Sequence, residues 1–343
     1  MKKRNLFLLL SILFTSVAIT PIDATFYIVK NGSLVNSDEA AIFSVEEHYT
    51  LGAEAFELCD WDEAAKQFRI VSYNFPSTVL GQDANFFLGV ACYHLKEFDF
   101  SNEAFSAYLR CHTNPQYFEE AISFKFNVAN QFKQGARRRF FGTKHLPKWA
   151  SGRSHAYEIY DEVIAAVPCH DLAAWSLFSK AQMLKEDGRY AESIDVYQLL
   201  IRRFPKHELA PESYLAISKI FIDQSLCEMQ NPDLLAFAQI NLRRFSQDFP
   251  REERISIIEQ DVMRLKEIYA TALFETGQFY ERIHKPFASV IYYQNAVDQF
   301  PETCTAQQCQ QRLKALRGFI PALPECDNTS LSSLPNMQND SSS

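Results

Sequence analysis

Residues 48–76 read HYTLGAEAFELCDWDEAAKQFRIVSYNFP. Counting back from Pro76, Gly52 lies 24 residues upstream, Trp61 15, Ala64 12 and Phe68 8. Those offsets suit two antiparallel helices joined by a short turn. Small residues at Gly52 and Ala64 let the two helices approach closely, and large apolar side chains at Leu51 and Phe68 are expected to fill the seam between them. Pro76 stops the second helix because it has no backbone N–H to donate.

The frame recurs along the chain. An apolar residue followed by proline closes a segment at Phe75-Pro76, Val167-Pro168, Phe204-Pro205, Phe249-Pro250 and Phe300-Pro301, with Pro115 a looser member. Leu88, Gly89, Cys92, Ala104 and Tyr108 form a second unit, with a slightly longer turn expected at Lys96 to Asn102. Ala156 and Tyr160 end a third, and Ala181, Gly188, Tyr190, Ser193 and Tyr197 form a fourth. Ala210 to Pro250 make a fifth; Gly277, Tyr280, Ser289 and Tyr293 make a sixth. Cys304 to Arg317 read as a single capping helix. The unit resembles the tetratricopeptide repeat. The fold this implies is all-α, a tetratricopeptide-repeat α-solenoid in which antiparallel helix pairs stack into a right-handed superhelix with a concave groove, since no pair buries its faces alone. The solenoid is expected over residues 44–318, interrupted by an insertion at 135–154. Residues 25–43 are expected as an extended lead-in, and the Ser-, Pro- and Asn-rich segment 319–343 as a disordered tail.

The first residues look like an export signal. Lys2, Lys3 and Arg4 precede an apolar run from Leu6 to Phe14, and small residues follow at Ser16, Ala18 and Ala24. The run is shorter than the roughly 20 residues a spanning helix needs, so residues 1–24 read as a signal peptide cut after Ala18 or Ala24. The alternative is an uncleaved anchor. The eight cysteines, at 59, 92, 111, 169, 227, 304, 309 and 326, are scattered without a Cys-x-x-Cys pair, which fits no zinc-site spacing. Cys92 falls on an apolar face, as a core residue does. Ten glycines in 343 residues fall well short of the roughly 7% average, against a Gly-rich propeller or multi-loop nucleotide-binding enzyme. A net charge of −8 argues against nucleic acid as a partner. No GxSxG, HExxH, phosphate loop or GxGxxG occurs, so neither catalysis nor a cofactor or metal is expected.

Three segments carry a closer resemblance: residues 48–76 quoted above, the Phe140-Phe141-Gly142 insertion, and LKEIYATALFETGQFYERIHKPFASVIYYQNAVDQFPET near the end. Together they resemble the BamD (YfiO/ComL) family, the helical-repeat subunit of the outer-membrane β-barrel assembly machine. The chain departs from that family in lacking the lipoprotein cysteine and in holding extra material near residues 170–250. The resemblance implies a periplasmic protein at the inner face of the outer membrane, with peripheral membrane association. It would dock on the periplasmic domains of a BamA-like insertase and hold segments of unfolded outer-membrane proteins. Another periplasmic adaptor, for cell-wall synthesis or secretion, is the alternative reading.

Three candidate binding surfaces follow. Tyr49 and Phe56 of the first unit and Phe86 and Tyr93 of the second would make an aromatic pocket for client side chains, or would pack between repeats. Arg137, Arg138 and Arg139 with Phe140, Phe141 and Trp149 suit a protein interface, since guanidinium groups pair with carboxylates and stack on rings; the alternative is a solvated loop. Arg264 and Arg282, near Lys266, His284 and Lys285, mark the last unit, where the resemblance places insertase docking, though a charged helix face is also simply solvated.

Overall fold

The computed structural model describes residues 27–30, 33–36, 40–111, 115–139, 147–227 and 231–316. The expected signal peptide and Ser-rich tail lie outside them. The described helices are α1 (Val45–Glu57), α2 (Trp61–Asn74), α3 (Val79–His94), α4 (Phe98–Cys111), α5 (Phe118–Lys133), α6 (Arg153–Ala166) and α7 (Asp171–Glu186). They continue with α8 (Tyr190–Arg203), α9 (Leu209–Cys227), α10 (Pro232–Asp248), α11 (Ile255–Arg282), α12 (Pro286–Gln299) and α13 (Cys304–Leu316). Two small antiparallel ribbons join them: β1 (Tyr27–Lys30) with β2 (Ser33–Asn36), and β3 (Arg137–Arg139) with β4 (Lys148–Ser151).

The chain divides into two compact units at residue 176. Within the first, each helix from α1 to α6 packs on the next, and α1 stacks on α3 and α3 on α5. Within the second, α8 to α13 pack in succession, and α9 stacks on α11 and α11 on α13. Pairing in sequence, together with stacking of the first helix of one pair on the first helix of the next, is a solenoid built by nearest-neighbour contact. Phe68, Phe105, Phe132 and Tyr160 are fully buried in the first unit; Tyr197, Phe245, Leu265 and Tyr293 are buried in the second.

In four of the pairs the close approach rests on a small residue facing a ring sixteen positions on. A Cβ added at Gly52 would meet the Phe68 ring at 3.1 Å, one at Gly89 would meet Phe105 at 2.7 Å, and one at Gly277 would meet Tyr293 at 2.5 Å. Ala181 and Tyr197 hold the same offset and are both buried. In two pairs a serine adds a polar tie: Ser101 Oγ donates to Gly89 O at 2.9 Å and Ser193 Oγ to Ala181 O at 2.7 Å. Leu51 does not fill the seam as expected. It is 41% exposed, one step round the helix from Gly52. Tyr49 and Phe56 close around Phe68 in its place, at ring distances of 5.6 and 6.3 Å.

Both kinds of turn have a physical signature. Each second helix that ends in the apolar-Pro pair does so at a residue with φ near −130° and ψ of 48–65°: Phe75, Val167, Phe204, Phe249 and Phe300. The following proline disfavours the helical region for that residue. The turn inside the pair is a Schellman closure. Asp60, Glu97, Ala136, Arg189 and Lys285 each donate a backbone N–H to the carbonyl five residues back, with Cys59, Lys96, Gly135, Gly188 and His284 at φ between 57° and 101°. That geometry normally selects glycine, which stands at only two of the five. The second pair shows the consequence. Only Leu95, Lys96 and Glu97 separate α3 from α4, and Phe98 to Asn102 are helical, so the longer turn expected at Lys96 to Asn102 does not exist.

Two buried polar residues fasten the first unit. His48 Nε2 accepts the backbone N–H groups of Ile42 and Phe43 at 3.2 Å, so its Nδ1 carries the proton donated to Gln67 Oε1 at 2.6 Å. This pins the approach to α1 onto α2. Lys125 of α5, 2% exposed, donates to Asn102 and Ser106 of α4 and pairs with Glu162 of α6 at 2.5 Å. Burial lowers its pKa, and Glu162 acts in the opposite sense.

The glycine contacts give an ordered prediction. Gly89→Ala adds helix propensity of about 1 kcal/mol but drives a methyl into the fully buried Phe105, an overpacking that costs typically 1–3 kcal/mol. Gly52→Ala meets its ring at 3.1 Å and comes out close to neutral. Thermal unfolding of the two variants should show a clearly lower Tm for Gly89→Ala; equal shifts would remove the role assigned to the contact.

Candidate functional site

The four aromatics expected to line a client pocket are links in an internal chain of rings. Phe56 meets Trp61, Phe68 and Phe87 edge-on at 5.2–6.3 Å. Tyr49 meets Phe68 and Phe87. Phe86 stacks on Tyr117 at 4.5 Å and is 6% exposed. Tyr93 meets Phe98 and Phe124. They pack against the chain's own Phe87, Tyr117 and Phe124, with Phe86 buried and Tyr49, Phe56 and Tyr93 half-exposed. Burial, with Asp83 nearby adding to it, pushes the Tyr49 hydroxyl up to about 12, as befits a phenol held in apolar packing.

The insertion forms a different object. After the Schellman turn at Gly135, β3 and β4 pair as a ribbon, and the ribbon folds back on the α3–α4 turn. Arg138 Nε donates to Asp99 Oδ1 at 3.1 Å, and the backbone N–H of Arg139 donates to Asp99 Oδ2 at 2.8 Å. The Arg139 guanidinium grips Glu97 through two bonds of 3.0 and 2.7 Å. Lys148 adds a bond to Glu97 at 3.1 Å and donates to the Lys96 carbonyl at 2.8 Å. Burial acts to raise the Glu97 pKa, but the bonds from Arg139 and Lys148 outweigh it and hold the carboxyl below its ordinary value. Arg139 is correspondingly raised, chiefly by its bond to Glu97.

Two of the three arginines expected at an interface are thus committed inside the chain. Left outward are Arg137 and, above all, Trp149, which is 71% exposed. A tryptophan held out on a two-stranded ribbon by a partly buried charge network is pre-organised for contact. It keeps its large apolar area in water at a fixed position, and burial of such rings dominates hot spots in protein interfaces. Phe140 and Phe141 lie outside the described residues.

At the last pairs, Lys266 of the expected basic surface is taken by Glu302. Glu267 accepts the N–H groups of Cys304 and Thr305 and so caps α13, while Arg312 of α13 pairs with Glu281 of α11. Arg264 and Arg282 remain exposed. Among the described residues no group of three or more His, Cys, Asp or Glu is arranged to hold a metal, and no helix is long and apolar enough to cross a membrane.

Residues 175–207 match the tetratricopeptide repeat model; they comprise most of α7, all of α8 and the closing Pro205. The fold is an all-α solenoid of tetratricopeptide-repeat type. Among curated proteins none matches the chain. Solved structures of similar fold include a TPR repeats protein from Bacteroides fragilis, at 12% identity over 80% of this chain and 99% of that one, TM-score 0.39. Another is a tetratricopeptide repeat protein from Parabacteroides merdae, at 12% identity over 79% and 97%, TM-score 0.34. A third is PilF of Pseudomonas aeruginosa, at 10% identity over 78% and 97%, TM-score 0.30.

The network around Glu97 sets a pH window. Because the folded-state pKa is lowered, the stabilisation is fully present above the unfolded carboxylate value of roughly 4.3 and is lost as pH falls through the folded value. Limited pepsin digestion at the ribbon, read by mass spectrometry, should accelerate relative to sites elsewhere as pH falls below the ordinary carboxylate value of roughly 4.3. At pH 7, Glu97→Gln should speed tryptic cleavage at Arg138 and Arg139 about tenfold, while Glu192→Gln at an exposed pair should not. Equal rates in the two variants would show that the ribbon is held by something else.

Proposed function

We propose that this protein is an exported, non-catalytic scaffold of the BamD kind. It works at the inner face of the outer membrane, docking on the periplasmic domains of a BamA-like insertase and holding segments of unfolded outer-membrane proteins. The coarser part of this reading, a protein–protein interaction scaffold of tetratricopeptide type, follows from the stacked helix pairs. The observation that carries docking is Trp149 on its braced ribbon: a large apolar ring left 71% exposed on β4, with Arg137 exposed on the paired strand β3. The resemblance of residues 48–76, of the Phe140-Phe141-Gly142 insertion and of residues 265–303 supports the choice of partner.

The test is affinity purification from detergent-solubilised envelope. Recovery of a large β-barrel protein bearing several periplasmic domains is expected, and Trp149→Ala should reduce that recovery at least fivefold while leaving the Tm within about 2 °C, as an exposed substitution does. Recovery of wall enzymes or secretion components alone would reject the assignment. Insertase recovery unaffected by Trp149→Ala would move docking away from the ribbon.

A further inference from the structure

The second unit contains a groove that no motif announces. The second helices of two successive pairs, α8 and α10, are held apart by α9, which packs on both. The connections α8–α9 and α9–α10 are short, so α8 and α10 run parallel and α9 runs against them. Between them lies an open cavity of about 1110 Å³. Tyr214, Ile217 and Phe221 of α9 form its floor; Ile194 and Ile201 of α8 form one wall and Leu234, Phe237 and Ile240 of α10 the other. Phe237 is 52% exposed and Ile240 43%, an apolar ridge at helical spacing with nothing upon it among the described residues.

The polar groups of this groove are arranged in two ways. Along its length they are already engaged: Asn241 Nδ2 donates to the Tyr214 carbonyl at 3.0 Å, Tyr214 Oη donates to Asp248 at 2.5 Å, and Asn231 Oδ1 accepts the Asp233 N–H at 3.2 Å. At its ends the charges are sorted. Arg202, Lys206 and Arg244 stand where α8 and α10 finish, beside Asp248, whose carboxylate accepts from Tyr214; Asp195 and Asp233 stand toward the starts of the two helices. No ion pair among the described residues engages Arg202, Lys206 or Arg244.

We propose that this groove is a docking site for an amphipathic helix of a partner protein, lying parallel to α8 and α10 with an acidic C-terminal turn. An extended strand would bring a row of backbone N–H and C=O groups against helical walls that have none unpaired, and burial without partners is costly. A helix satisfies its own backbone and offers i, i+3, i+4, i+7 side chains to ridges of the same spacing. The polarity fixes direction. A helix carries partial negative charge at its C-terminus and positive at its N-terminus, so its C-terminal end belongs at Arg202, Lys206 and Arg244 and its N-terminal end at Asp195 and Asp233. The inference goes beyond the insertase reading and stands without it, because its test uses no envelope component.

The probe is a fluorescein-labelled 18-residue amphipathic peptide with leucine at i, i+3, i+4 and i+7 spacing, lysines in its first turn and glutamates in its last. A second peptide exchanges the two charged turns. Fluorescence anisotropy on the full chain should show the first binding at least fivefold more tightly than the second. Phe237→Glu, at an exposed position, should abolish binding with the circular-dichroism spectrum unchanged. Arg202→Glu with Arg244→Glu should reverse the preference between peptides; a double variant that does not fold is replaced by Lys206→Glu, which should narrow the preference. Equal affinity for the two peptides, or binding that survives Phe237→Glu, overturns the proposal. So does tighter binding of a proline-interrupted, extended version. Sedimentation analysis closes the remaining case: a wild-type dimer that Phe237→Glu converts to monomer would show a second copy of this chain in the groove, and would also overturn it.

Discussion

The distance between two helices in a pair is set here by a missing side chain. Where Gly52, Gly89 and Gly277 face Phe68, Phe105 and Tyr293, a methyl group has no room or almost none. The ring closes against the small residue of the partner helix in each of these pairs. From that follow the short Schellman turn and the seating of the next first helix against the pair. A repeat protein stacks regularly only if its units are alike in thickness, and this contact is what makes them alike. Its dispersion attraction is small per atom pair and large in sum, and it gives the array its pitch as well as its cohesion.

Much of this was legible in the residues. The apolar-Pro pairs mark the helix ends because proline constrains the residue before it, a local effect that needs no tertiary context. The small-residue and ring positions were legible because they recur at a fixed interval. Leu51 misled because adjacency to Gly52 was read as sharing its face, and on a helix neighbours are about 100° apart. The turn at Lys96 misled because its left-handed residue is not glycine; Cys59, Lys96 and His284 adopt that conformation under the direction of the surrounding hydrogen bonds, and nothing in their chemistry advertises it.

The surfaces were harder to see. Helical spacing brings out the aromatic positions at Tyr49, Phe56, Phe86 and Tyr93, but their neighbours in space, Phe87 on α3, Tyr117 at the N-cap of α5 and Phe124 on α5, decide how open they are. The arginine run was visible, while its partners Glu97 and Asp99 lie some forty residues upstream in a turn whose position was misjudged. Trp149 then emerges as the outward group only once the arginines are subtracted. The groove between α8 and α10 had no sequence signal because its walls belong to elements forty residues apart and its charges are ordinary one by one. Only their sorting to opposite ends carries information.

The ribbon inserted between α5 and α6 has a consequence for how the first unit comes apart. In a linear array each repeat opens against its neighbours alone, and fraying from either end proceeds step by step. Here the third pair reaches back through Arg138, Arg139 and Lys148 to the turn of the second, and Lys125 ties α4 to α5 and α6 from the other side. Residues 79–166 are therefore double-stitched, and the second and third pairs should exchange their amide protons as a single cooperative block.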